Sequence, residues 1–408
     1  LKLWTEWNPD LLIDCHVTDG ADFQYNITYI YEHHEHMPAP ILDWMRDAFD
    51  KRIFPATTAA GNLLSQYITF RDNRDLSKGL DGFVMPPRFS TGYSTIRNRP
   101  GMTIETHMLK DYRNRVRGTY DLLRFTLEEL NRNPEKLLLA VREADDETVK
   151  EGQKYDPARR YPLQIELTDK SRPVQFKGVE SRTELSDISG TQRVVFGTKP
   201  KDVTIPLYDE SKVAAVVAPP LYYIVPPQWK SIIDVIAAHG LKMQRLTAPA
   251  TIEVESYRFS DVKFAETPFE GRVMPSFKSN LVRERRTFPA GSIVVPLAQP
   301  AGHVAVHLLE PDAPDSFVAW GFFNAIFEQK EYGEDYVLEK LAREMLGRDE
   351  SLRREFEQKV ANDPKFAASA SARLNFFYER SPYWDTQLNL YPVGRVTAPL
   401  NVQLSDVH

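Results

Sequence analysis

The first third of the chain switches repeatedly between strand-like and helix-like spacing of its apolar positions. Residues 11–17, Leu-Leu-Ile-Asp-Cys-His-Val, read as a mostly buried strand broken by two polar side chains, Asp14 and His16. Standing two apart, these face the same way on a strand. A turn is signalled at Thr18-Asp19-Gly20, and a further strand over 23–31. Pro40 to Phe54 follows a helical rhythm, with Ile41, Leu42, Met45, Phe49 and Ile53 on one face. Residues 61–71 predict another strand. The Gly-, Asp- and Pro-rich stretch 72–92 predicts a long surface loop, a class of segment that is often functional. Met102 to Met108 predicts a short strand with Glu105 and His107 on one face. Arg115 to Leu130 then predicts an amphipathic helix whose core face carries Val116, Tyr120, Leu123, Leu127 and Leu130. The run Asn131-Arg132-Asn133-Pro134 supplies its stop.

Such alternation over 1–135 indicates an α/β layer with a largely parallel sheet. Beyond about residue 155 the pattern becomes β-rich, with strand signals at Leu163–Leu167, Arg193–Phe196 and Ile252–Val254. One helix is embedded there, from Pro226 to His239, with Gly240 as its cap and prolines at the first positions, where they are tolerated. From Ser316 onward helices return, notably Tyr336–Leu346 and Leu352–Val360. Three regions follow: 1–135, a β-rich 155–310, and a mostly helical 316–408. At 408 residues the chain is too long for one ordinary core.

Charge and cysteine usage narrow the function classes. A net charge of −6 argues against a nucleic-acid partner, which needs a concentrated basic face. The cluster Arg283, Arg285 and Arg286 alternates with Glu284 and reads as a solvated strand or loop. With Cys15 alone, neither an intrachain disulfide nor a cysteine zinc knuckle can form; its neighbours predict a buried thiol. No apolar run approaches the roughly 20 residues that span a bilayer. The first residue is Leu1 and no signal peptide is visible. The expectation is a processed start, or a chain beginning inside a longer gene product.

Two segments carry candidate chemistry. Asp14-x-His16 on one strand is a recurrent way to orient a metal-binding imidazole, the carboxylate holding the second ring nitrogen. Glu105 follows Ile104 in an otherwise apolar setting, where a carboxylate is costly without a partner. Either it works in a site or it pairs with an arginine such as Arg113 or Arg115. His107 reads as a supporting residue or a satisfied core histidine. The run Glu32-His33-His34-Glu35-His36 is dense in ligand types, but adjacent histidines on an extended chain point apart, so a strand-end loop is expected. His307-Leu-Leu-Glu310 has His-x-x-Glu spacing, yet its alternation with Val304 and Val306 reads as a strand.

The run Leu12-Ile-Asp-Cys-His-Val-Thr-Asp-Gly-Ala-Asp-Phe-Gln-Tyr25 resembles the segment of M14 zinc carboxypeptidases that carries the third zinc ligand. Gly92-Tyr93, Asn98-Arg-Pro-Gly101 and Ile104-Glu-Thr-His-Met-Leu-Lys110 resemble the later segment with the catalytic glutamate, and Arg115-Val116 follows as in one bacterial branch. The stretch Leu309-Glu-Pro-Asp-Ala-Pro-Asp-Ser-Phe-Val-Ala-Trp320 resembles that branch's long C-terminal extension. The resemblance implies a partial α/β/α carboxypeptidase-like mixed sheet, then a β-rich domain and a helical C-terminal segment. It implies Zn2+ as cofactor with His16 as ligand, Glu105 as general base and acid, and Tyr93 and Arg97 as substrate-binding residues. Asp14 and His107 would support them. The substrate would be a peptide C-terminus or a peptidoglycan stem, and the protein an exported bacterial one, periplasmic or secreted.

The family's His-x-x-Glu zinc motif and its substrate-gripping arginines lie upstream of these segments and do not fit before Leu1. Two readings stay open: a zinc carboxypeptidase completed by a companion N-terminal segment, or a catalytically incomplete carboxypeptidase-like binding or structural module.

Overall fold

The computed structural model describes every residue except Asp19 and His408, so the middle of the turn expected at Thr18-Asp19-Gly20 lies outside the described residues. The architecture is α/β, with several sheets and a helical C-terminal segment, as the pattern predicts. Two compact units are present. The first comprises Leu1–Glu255, Arg283–Phe322 and Val393–His408; the second comprises Ser256–Val282 and Phe323–Pro392.

The first unit contains a four-stranded mixed sheet of β1 (Leu12–Thr18), β2 (Ile27–Tyr31), β3 (Leu64–Gln66) and β4 (Gly101–His107), in the order β1-β4-β2-β3. β1 runs parallel to β4, β4 antiparallel to β2, and β2 parallel to β3. Period-two alternation gives this sheet one apolar face, on which Ile27, Met102 and Ile104 are fully buried. Against its core pack the helical turns Ala39–Met45, Arg46–Ile53 and Phe54–Ala59, which bury Ile41, Met45, Phe49 and Ile53 as the helical rhythm predicts. The middle turns are π-wound, ahead of Pro55, which has no N–H to donate.

Three more helices matter to the site. The loop expected over 72–92 ends early, in helix α1 (Ser90–Ile96), and the stop at Asn133-Pro134 is followed at once by another helix. These two are α2 (Tyr112–Arg132) and α3 (Pro134–Gly152). Pro134 occupies the first turn of α3, where its missing N–H costs nothing.

The amphipathic pattern of α2 is inverted relative to expectation. Its buried positions are Gly118, Asp121, Leu122, Thr126 and Glu129, whereas Tyr112, Val116, Tyr120 and Leu127 are exposed, at 75%, 50%, 58% and 67%. Internal ion pairs make this possible. Asp121 takes hydrogen bonds from Asn62 (3.1 Å) and Arg117 (2.9 Å), and Glu129 pairs with Arg52 at 2.9 Å. Gly118 lets the helix approach closely: a Cβ there would meet the side chain of Ile27 at 3.3 Å.

Further along, Tyr161–Leu167 pairs with Ser211–Val217, and Arg172–Leu185 forms a long hairpin with Gln192–Tyr208. Strands Tyr222–Val225, Gln244–Leu246, Ile293–Pro296, Gly394–Val396 and Leu404–Asp406 pair antiparallel. The helix expected from Pro226 begins at Lys230. Residues Gly302–Leu309 form helix α4, not the strand read from alternation, because Val304, Ala305, Val306 and Leu309 are all buried and polarity gives no period. The second unit packs helices Asp335–Arg348, Glu350–Asn362, Pro364–Ala368 and Ala370–Tyr378 around Leu352, Phe366, Phe376 and Phe377.

Candidate active site

Strand register assembles the site. The parallel ladder sets His16 opposite Glu105, Asp14 opposite Thr103 and Thr18 opposite His107; the antiparallel ladder sets Thr28 opposite Glu105. Laterally paired residues share a face, so Asp14, His16, Thr18, Thr28, Thr103, Glu105 and His107 stand on the side opposite the apolar core. Two motifs 89 positions apart in sequence thus become neighbours across one strand spacing.

Asp14 Oδ1 lies 2.9 Å from His16 Nε2. That bond directs the ring and leaves Nδ1 as its other coordinating position. Asp14 raises the His16 pKa chiefly through this hydrogen bond, and the Glu105 charge adds to it. Burial pushes the Asp14 carboxyl up, but the Ser90 hydroxyl and His16 outweigh it and hold the group below its ordinary value. Ser90 opens helix α1 and also meets Thr103 Oγ1 at 3.3 Å. Burial raises the Glu105 pKa, with His16 opposing and Asp14 assisting. Glu105 Oε2 is buried with no hydrogen-bond partner, so neither Arg113 nor Arg115 satisfies it. An unpaired carboxylate oxygen beside an oriented imidazole is costly for folding and suited to handling a proton.

His107 is fully buried. Its Nε2 lies 3.1 Å from Asp22 Oδ1, the Leu109 N–H donates to Nδ1 at 3.4 Å, and the ring stacks on Phe23 at 4.1 Å. Both nitrogens are therefore occupied, and the residue secures the end of β4. Tyr93 and Arg97 turn elsewhere: the Tyr93 hydroxyl meets His239 Nδ1 at 2.8 Å, and Arg97 Nη1 donates to the His239 carbonyl at 2.8 Å. The segment between them and Glu105 is structural. Asn98, at φ 58°, donates to Asp145 at 3.1 Å and to Thr148 at 2.9 Å on α3, and Arg99 meets Asp145 at 2.9 Å. These bonds fix where β4 starts.

Cys15 points to the apolar side of β1 yet is exposed, a correction to the buried thiol expected from Ile13 and Asp14. The reason is that β1 is the outermost strand. The histidine-rich run disperses, as expected of a strand-end loop. Glu32 is buried and accepts the Met85 N–H at 3.0 Å; His34 meets Ser211 at 3.0 Å and His36 the Pro162 carbonyl at 2.9 Å. His307 and Glu310 also part company: His307 meets Tyr161 at 3.2 Å, and Glu310 meets Arg395 at 2.8 Å.

Tyr67 went unnoticed in the sequence. Its hydroxyl meets Thr18 Oγ1 at 3.1 Å, and it lines a small recess of about 40 Å³ with Tyr29, Tyr31, His33 and Phe83. Only a strand-end tyrosine marks it locally, a signal shared by many core residues.

Comparison with known proteins adds an independent observation. The chain is 31% identical over 102 residues to proteins named carboxypeptidase 2 of Trichophyton tonsurans and Trichophyton equinum, and 30% identical to that of Trichophyton rubrum. Over those 102 residues the chain is similar to part of these carboxypeptidases. The match covers 25% of this chain and 19% of each relative, so it spans about a fifth of their length. No family model matches the chain, and no solved structure does.

Zinc must be weighed against the donors present. Among the described residues no group of three or more His, Cys, Asp or Glu is placed to hold a metal. His16 offers one imidazole, fewer than the three protein ligands of a catalytic zinc site. The described residues therefore do not complete one.

Proposed function

We propose that the chain carries the downstream half of a zinc carboxypeptidase site of the M14 type, with His16 as one metal ligand and Glu105 as general base and acid. The observation that carries this reading is the His16–Glu105 pair on one sheet face, with Glu105 Oε2 buried and unpartnered. The similarity to proteins named carboxypeptidase supports it. Zinc's remaining ligands would come from outside the described residues, and the ion would supply Lewis acidity to water and carbonyl.

The chain's own residues do the rest. Asp14 orients the His16 ring. Glu105, its pKa raised by burial, accepts a proton from the attacking water and returns it to the leaving amine. The substrate is a peptide C-terminus or a peptidoglycan stem, and an exported protein is the setting proposed with it.

The test is zinc content with intact mass, followed by hydrolysis of a C-terminally blocked and unblocked peptide pair. About one zinc per chain, lost in His16→Ala, is expected, with release of the terminal residue from the unblocked peptide only. Glu105→Gln should lower turnover roughly 100-fold or more while zinc stays bound. A protein with no zinc at 46.9 kDa would instead be the binding or structural module, favoured by the incomplete donor set.

A further inference from the structure

The site face of the four-stranded sheet is covered unevenly. On β1 it is open, with the side chains of Asp14 and His16 36% and 50% exposed. On β2 it is shut. Thr28 and Ile30 stand there at 1% and 9% exposure, although both point away from the apolar core that holds Ile27. On β4, between these strands, Glu105 Oε2 is buried, and so is the hydroxyl of Thr28, its lateral neighbour. Neither atom has a hydrogen-bond partner among the described residues. Polar groups on an outer sheet face lose their water only where something lies over them.

Tyr67 lies over them. It follows β3 directly, and its N–H still donates to the Tyr29 carbonyl at 2.9 Å, so its backbone stays at that edge of the sheet. Its hydroxyl meets Oγ1 of Thr18, the last residue of β1, at the opposite edge. Thr18 faces the same way as Asp14 and His16. A side chain rooted beside β3 that ends at β1 on this face passes over β2 and β4. Sheet twist brings diagonal corners together on one face, which shortens the span. Beneath that path stand Thr28 and Glu105.

The two ends of this bar are held unequally. At its root Tyr67 packs edge-on against Phe83 at 4.9 Å, and the Phe83 carbonyl is anchored to His34 Nε2 at 2.7 Å. At its tip the tie is a single neutral hydroxyl pair, a modest bond. The recess of about 40 Å³ lined by Ile30, Tyr67 and Phe83 flanks the ring, so close packing does not lock it on that side.

We infer that Tyr67 is a gate on Glu105: with its hydroxyl on Thr18 the ring covers the carboxylate, and rotation about its own side-chain torsions uncovers it. The cover stands on geometry; its role as a gate to substrate rests on the hydrolytic reading of Glu105. Substrate and the Thr18 bond then compete, and the closed gate lowers apparent affinity.

Carbodiimide-driven amidation, read residue by residue by peptide mass spectrometry, reports how often each carboxylate is uncovered. Tyr67→Phe keeps the ring and removes the hydroxyl; Thr18→Val keeps the shape and removes the partner oxygen. Each is expected to speed Glu105 labelling about fivefold, the equilibrium worth of one ordinary hydrogen bond. The double variant should match the singles rather than multiply them, because both delete the same bond. Glu129, 5% exposed in the same unit, should keep its rate throughout. Unchanged Glu105 labelling in both singles, a multiplied effect in the double, or a matching rise at Glu129 would each overturn the gate. Peptide hydrolysis separates the two proposals. Faster labelling in a protein without hydrolysis keeps the cover and removes the enzyme; hydrolysis with unchanged labelling keeps the enzyme and removes the gate. With both present, Tyr67→Phe should lower KM about fivefold at constant kcat.

Discussion

Arg395 and Arg283 hold the same carboxylate, Glu255, in very different settings. Arg395 is 2% exposed, 2.6 Å from Glu255 Oε2 and 2.8 Å from Glu310 Oε1, and it also donates to the Ala218 carbonyl at 2.6 Å. Arg283 reaches Glu255 Oε1 at 2.9 Å with its side chain 70% exposed. Removing the buried Arg395 takes the guanidinium from two desolvated carboxylates at once, leaving Glu255 to Arg283 and Glu310 to the Tyr223 hydroxyl, whereas removing the exposed Arg283 lets water replace it. Arg395→Ala is expected to cost about 3–5 kcal/mol in urea unfolding, and Arg283→Ala less than about 1 kcal/mol. Nothing in Val393-Gly-Arg-Val396 announces Arg395, because its partners come from positions 255 and 310. Asp14 and His16 were legible for the opposite reason: spacing of two on a strand already fixes a shared face.

Elements show where local pattern misleads. Helical period in α2 was read correctly, but the apolar arc does not identify the buried arc when paired acids and a glycine can line the core instead. α4 was missed because an almost wholly buried segment has no polar side to mark its period. The short helix α1 depends on one contact: a Cβ on Gly92 would lie 2.3 Å from the Met85 carbonyl oxygen and 2.4 Å from that of Pro86. Gly92→Ala is therefore expected to cost about 1–3 kcal/mol by overpacking. It should also loosen Ser90 from Asp14, so that turnover falls along with melting temperature, whereas Gly347→Ala, with open space around its Cβ, should leave turnover unchanged.

At the scale of the molecule, a histidine seam ties distant segments of the first unit. His36 packs against His307 at 5.0 Å, Tyr161 against His303 at 4.5 Å, and His303 lies 3.4 Å from Glu151 on α3. Burial lowers the His36 pKa to about 4, and holds that of His307 well below its ordinary value. Both groups bind fewer protons folded than unfolded. Stability is thus complete above about pH 6.5 and falls as pH drops towards 4, by up to about 1.4 kcal/mol per pH unit for each histidine. Melting temperature measured from pH 8 to 4 should show this decline, and His36→Gln should flatten it. A slope unchanged in that variant would remove His36 from the account. By itself the sequence determined the alternation of strand and helix, the α/β class, and the two polar pairs spaced to share a strand face, because backbone periodicity is local. Only the tertiary structure decided that those pairs meet across β1 and β4, that Tyr93 and Arg97 turn to His239, and which face of α2 is covered. Those outcomes depend on strand order and on partners tens to hundreds of residues away, which no local pattern encodes.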